Sequence, residues 1–163
     1  MNRVSVDVNG REVYIECEPR TNLADFLRDQ LRLKGTHLGC EHGACGACTV
    51  LIDDAPARSC ITLARSCQGS RVRTIEGLRD DEIVIALREA FRREHAVQCG
   101  YCTPGMLITA RDIVQRVPIA DIDTIRRELA GCICRCTGYR DIVRAIHSVV
   151  RQRAGAGLID GLR

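Results

Sequence analysis

Eleven of the 163 residues are cysteine, and most fall into three short runs: GCEHGACGAC at 39–48, QCGYC at 98–102 and CICRC at 132–136. Thiols bunched this closely are either bridged to one another or bound to metal, and both uses force the local backbone to wrap around them. Disulfides belong to oxidising compartments. The opening MNRVSVDVNG alternates polar and apolar residues where an export signal needs a continuous apolar stretch. No run of apolar residues is long enough to span a bilayer. The chain therefore reads as a cytoplasmic, soluble protein with no membrane partner, its cysteines serving as metal ligands.

The rest of the composition narrows the choice. With two Phe, three Tyr and no Trp, the cores must be aliphatic, and 45% hydrophobic residues suffice for one or two small ones. The net charge is +3, but the arginines are interspersed with Asp and Glu and lack stacking aromatics, which excludes a nucleic-acid groove.

Two halves differ in periodicity. Val4, Val6 and Val8 alternate up to Asn9-Gly10, and Val13, Ile15 and Cys17 alternate after it, which predicts a hairpin. Thr21 or Asn22 can cap a short helix carrying Leu23, Phe26, Leu27 and Leu31, and a strand is expected over Thr49 to Ile52. These elements make a small sheet with one helix across it. From about residue 81 the period is helical: Ile83, Leu87, Ala90 and Phe91; then Leu107, Ala110 and Val114 after a Thr103 cap and Pro104; then Ile122, Ile125 and Leu129 after an Asp121 cap; then Ile142, Ile146, Val149 and Val150. Four such helices make a small bundle. The expected division is 1–76, 81–153 and a flexible tail at 154–163, with the junction within 68–80.

Cys40, Cys45, Cys48 and Cys60 give C-x4-C-x2-C-x11-C, whose first three members match the spacing of the plant-type [2Fe–2S] loop. Gly39, Gly43 and Gly46 allow the backbone to fold around inward-pointing sulfurs. Zinc accepts four thiolates too, but usually from paired C-x2-C knuckles. Cys40-Glu41-His42 offers half of a Rieske pattern, yet no His lies near Cys60, which leaves His42 an exposed loop residue. Cys17 and Cys67 lack partners at short spacing and read as core residues. In the second half, Cys99 and Cys102 resemble a thioredoxin dithiol in isolation, but their flanks are helical rather than α/β. As metal ligands they need two more thiols, and spacing alone leaves open Cys132 with Cys134 or Cys134 with Cys136.

Taken together, GCEHGACGACTV, QCGYCTPG and CRCTGYRDIVRAI resemble the two-cluster iron–sulfur subunit of the molybdenum hydroxylases, the xanthine dehydrogenase and aerobic carbon monoxide dehydrogenase family, up to about residue 150. The resemblance implies an α+β architecture: an N-terminal β-grasp, plant-type ferredoxin-like domain followed by a C-terminal four-helix-bundle domain, each with one [2Fe–2S] cluster. It assigns Cys40, Cys45, Cys48 and Cys60 to one cluster and Cys99, Cys102, Cys134 and Cys136 to the other. Cys132 stands where the family commonly has Asn. It further implies a molybdopterin-binding large subunit, contacted through Gln98 and Cys136, an FAD-binding medium subunit, and a dimer of such three-chain units. On this reading the chain is the electron-transfer subunit of an oxidoreductase, with no catalytic residue or substrate pocket of its own. The competing readings are a free-standing iron–sulfur protein and a zinc-binding interaction module.

Overall fold

In the computed structural model, backbone is described for residues 2–160, and side chains for these except 2–4, 15 and 156–160. The side chains of Val4 and Ile15 therefore lie outside the described set. Strands β1 (Asn2–Val8) and β2 (Arg11–Cys17) form the expected antiparallel hairpin. Asn9 and Gly10 both take positive φ, 55° and 80°, the conformation that matches the twist of paired strands. Strand β3 (Thr49–Ile52) lies where the sequence places it. Two strands go beyond the expected set. β4 (Ala55–Arg58) folds back on β3 through Asp53 and Asp54, both at positive φ, and β5 (Arg71–Arg73) pairs parallel with β1 and antiparallel with β3. The order is β2-β1-β5-β3-β4. Pro56 is tolerated because β4 is an edge strand. β5 falls inside the 68–80 stretch read as a junction, and its three residues are held by neighbours on both sides rather than by their own propensity.

Asn22 caps the crossing helix: its side-chain oxygen accepts the Asp25 N–H at 2.8 Å. Helix α1 (Leu23–Asp25) then widens into a π-turn over Phe26–Gln30. Leu23, Phe26 and Leu27 are fully buried against Val6, Val8, Val50 and Val72, each such side chain contributing about 1.5–3 kcal/mol. Cys17 and Cys67 belong to this core, and burial pushes the Cys67 thiol up, so both behave as the small hydrophobes expected.

The second half contains α2 (Glu82–Arg93), α3 (Thr103–Arg116), α4 (Ile122–Glu128) with a 3-10 turn over Leu129–Gly131, and α5 (Arg140–Asp160). Their predicted stripes meet in one aliphatic core. Three details differ from expectation. The cap of α3 is Cys102, not Thr103, which leaves Pro104 in the first turn, where a missing N–H costs nothing. Ile122 is 39% exposed, because only the later turn of the short α4, with Ile125 and Leu129, reaches the core. Residues 154–160, assigned to a tail, continue α5 despite Gly155 and Gly157, since the helical ladder is already nucleated; 161–163 lie outside the described residues.

The halves share a seam. Leu51, Leu78, Val84 and Ile108 are buried between the sheet and helices α2 and α3. Backbones also approach closely: a Cβ on Gly105 would lie 2.3 Å from the Gly46 carbonyl oxygen, and one on Gly46 would lie 2.5 Å from that of Gly131. The first turn of α3 and the start of CICRC are thus pressed onto the loop that carries the first cysteines. Among the described residues, no helix is long and apolar enough to cross a membrane.

Candidate metal centres

All eleven cysteines are free. In the first run, Glu41, Gly43 and Gly46 adopt positive φ and turn the loop back on itself. Cys45 N–H then donates to Cys40 Sγ at 3.3 Å. A Cβ at Gly39 would come within 3.0 Å of Cys45 Sγ, so the glycine leaves that sulfur its space. Cys60 arrives from the β4 side in the 3-10 turn Ser59–Ile61. Ser59 binds the Cys48 carbonyl with its hydroxyl at 2.7 Å and its N–H at 3.3 Å, which brings Cys60 beside Cys48. Both are buried with Ala24 and Leu38.

The environments separate these thiols electrostatically. N–H groups of Cys45 and His42 bring Cys40 down to about 6, whereas burial, and then the neighbouring Cys48 thiol, push Cys60 up to about 11. His42 is an exposed loop residue, as expected, with Nδ1 2.6 Å from the Cys40 carbonyl.

The second group assembles from two helix ends. Cys99 and Cys102 occupy the bend between α2 and α3; Cys134 and Cys136 occupy the segment before α5. Burial, followed by the adjacent Cys134 thiol, pushes Cys102 up to about 12, with Cys99 adding to the effect. Cys136 is raised by the Cys99 thiol beside it. Burial works against ionisation of Cys134, but the Thr137 hydroxyl, 3.1 Å from its Sγ, and nearby N–H groups outweigh it, so its pKa is lowered. Tyr139 holds this segment by accepting the Cys134 N–H at 2.7 Å. Cys102 thus lies beside Cys134, and Cys99 beside Cys136. Cys132 does not join them: it is buried with the Thr109 hydroxyl 3.1 Å from its Sγ, beneath Gly46. Gln98 is exposed next to Cys99, and Cys136 is exposed as well. Arg135 is exposed and makes no ion pair among the described residues.

Long-range contacts tie the two groups together, and no local spacing signals them. The Ile133 N–H donates to the Cys45 carbonyl at 2.8 Å. Tyr101 donates its hydroxyl to the Leu38 carbonyl at 2.6 Å and stacks on His37, ring centroids 4.7 Å apart.

The donor chemistry fits iron–sulfur centres. Thiols packed beside one another, as Cys48 is with Cys60 and Cys102 with Cys134, suit a cation, and a coordinating metal deprotonates them outright. An all-sulfur set on a glycine-relieved loop, with N–H and hydroxyl donors aimed at sulfur, suits a cluster whose negative charge needs such donors. The fold and the donor set are those that an iron–sulfur protein with a binding domain in each half would need.

Comparison with known proteins makes this specific. The 2Fe-2S iron-sulfur cluster binding domain family matches residues 6–68, and the [2Fe-2S] binding domain family matches residues 74–147. The chain is 48% identical to the caffeine dehydrogenase subunit gamma of Pseudomonas sp. (strain CBB1), covering 90% of this chain and 89% of that one. It is 46% identical to the nicotine 6-hydroxylase small subunit of Paenarthrobacter nicotinovorans, covering 88% and 86%. Among solved structures, quinoline 2-oxidoreductase from Pseudomonas putida 86 superposes with a TM-score of 0.87 at 47% identity, over 94% of this chain and 96% of that chain. The chain belongs to the two-[2Fe–2S] iron–sulfur subunits of the molybdenum hydroxylase, or xanthine dehydrogenase, family. It is thereby a subunit of a multi-subunit oxidoreductase.

Proposed function

We propose that this chain passes single electrons between a molybdopterin cofactor on a large subunit and FAD on a medium subunit. Cys40, Cys45, Cys48 and Cys60 would hold one [2Fe–2S] cluster and Cys99, Cys102, Cys134 and Cys136 the other. The observation that carries this reading is that each matched [2Fe–2S]-binding domain contains one of these sets of four cysteines, with Cys48 beside Cys60 in the first and Cys102 beside Cys134 and Cys99 beside Cys136 in the second. When bound, each cluster supplies one-electron transfer. The chain's own residues set the environment: the Cys45 N–H toward Cys40 Sγ and the Thr137 hydroxyl toward Cys134 Sγ favour negative charge on sulfur.

Exposure supports a direction. Gln98, Cys99 and Cys136 reach the surface, and Val97, Tyr101 and Ile133, within three residues of them in sequence, are 42–52% exposed. Exposed large side chains on the segments that carry exposed cysteines suit burial by a large partner, and this face would receive the molybdopterin subunit, with Gln98 and Cys136 contacting the pterin. The Cys40 loop, beside Ile61 at 61% exposure, would face the FAD subunit. The assembly would be a cytoplasmic dimer of three-chain units, and choice of substrate would rest with the large chain.

Native mass spectrometry of the complex purified from its source tests the subunit role. The expected result is this chain in equal amount with one molybdopterin-containing and one FAD-containing chain. A free monomer that keeps its iron and has no partner in the native extract overturns it.

A further inference from the structure

We propose that Arg58 is a positioning residue that sets the separation and mutual orientation of the two iron–sulfur centres; this rests on the two-cluster reading above. Arg58 ends β4, two residues before Cys60, and its guanidinium forks across the seam between the halves. Nη1 donates to Thr49 Oγ1 at 2.6 Å, and Thr49 in turn donates its hydroxyl to the Gly46 carbonyl at 2.6 Å, with its N–H on the same oxygen at 3.2 Å. One arm of the fork therefore grips the loop between Cys45 and Cys48. Nη2 donates to the Gly131 carbonyl at 2.6 Å, so the other arm grips the segment leading into Cys134 and Cys136.

The surroundings are cut to this contact. A Cβ on Gly131 would fall 2.6 Å from Arg58 Nη2, and one on Gly46 would meet the Gly131 carbonyl and Cys132. Only glycines at both places let guanidinium and backbone approach this closely. Two residues beyond Gly131, the Ile133 N–H reaches the Cys45 carbonyl at 2.8 Å, which is the direct backbone link between the two cysteine segments that the fork holds in register. No carboxylate pairs with Arg58 among the described residues. Its donors go to neutral oxygens instead, as charge-assisted bonds whose directions are fixed by a rigid planar group. Lysine would carry the same charge but lacks the planar fork that presents donors to two acceptors in fixed directions.

Electron transfer and magnetic dipolar coupling between two centres both fall steeply with separation, so the clamp has a spectroscopic readout independent of turnover. In the purified native complex, fully reduced, the dipolar splitting between the two paramagnetic resonance signals is measured together with iron per chain. Arg58→Met is expected to keep its iron and both signals while the splitting shrinks and broadens. Arg58→Lys is expected to behave like Arg58→Met. Should Arg58→Met lose iron, Thr49→Val, which deletes the shared hydroxyl without changing side-chain shape, carries the test and is expected to shrink the splitting. An unchanged splitting in an iron-replete Arg58→Met or Thr49→Val complex overturns the proposal, and so does full restoration by lysine, which would leave charge as the only role. A wild-type complex with a single centre would instead remove the two-cluster reading itself, and the clamp with it.

Discussion

Changing Cys134 or Cys136 to serine is expected to leave about two irons per chain and one paramagnetic resonance signal, whereas Cys132→Ser keeps about four irons and both signals. The expectation follows from where the three alternate cysteines point. Cys134 lies beside Cys102 and receives the Thr137 hydroxyl; Cys136 lies beside Cys99. Cys132 is turned into the seam, where Thr109 and Gly46 are its neighbours. Its N–H closes the 3-10 turn on the Leu129 carbonyl at 2.8 Å, which commits the backbone to that direction before the segment extends. Serine fills nearly the same space and can still pair with Thr109, so the Cys132 variant should fold. Loss of a signal there would mean that the ligand pair is Cys132 with Cys134.

Asp81→Ala is expected to cost about 3–5 kcal/mol, read as a fall in the denaturation midpoint at neutral pH, because it strands a buried guanidinium. Asp81 Oδ1 caps α2 by accepting the N–H groups of Ile83 and Val84 at 3.1 Å, and Oδ2 accepts Arg111 Nε at 2.9 Å. Arg111 is only 8% exposed. Burial alone would raise the Asp81 pKa, but Arg111 and the Val84 N–H more than offset it, and the folded value is lowered. A carboxylate whose folded pKa lies below the unfolded value of about 3.9 stabilises the protein above that pH, and its contribution fades as pH falls through the folded value. At pH 7 the whole penalty should therefore appear. Asp81→Asn keeps the cap oxygen but loses the charge, and its cost should fall between wild type and alanine. Equal midpoints for wild type and alanine would mean that the α2–α3 junction does not depend on this pair.

Much of this architecture is legible in local pattern because local pattern causes it. Alternation around Asn9-Gly10 gives the hairpin, Asn22 and Asp121 announce helix starts with side chains that cap them, and the stripe from Ile142 to Val150 can pack only one way. What escapes is what tertiary pairing creates. The sequence APAR has little strand propensity and becomes β4 only by folding back on β3, and the three residues of β5 are a strand because β1 and β3 flank them. The cysteine groups follow the same division. GCEHGACGAC is a local device readable from its spacing and glycines. The choice among Cys132, Cys134 and Cys136 turns on the Leu129–Gly131 turn and on Thr109, which lies 23 residues away in sequence. Arg58 and Gly131 are 73 positions apart, and no periodicity foretells that they touch.

The most direct measurement of the central claim is iron and acid-labile sulfide per chain in the native complex. Two diiron centres on this chain require about four of each, together with two distinct signals on reduction. Zinc in their place, or about two irons and a single signal from a fully loaded complex, would contradict the account.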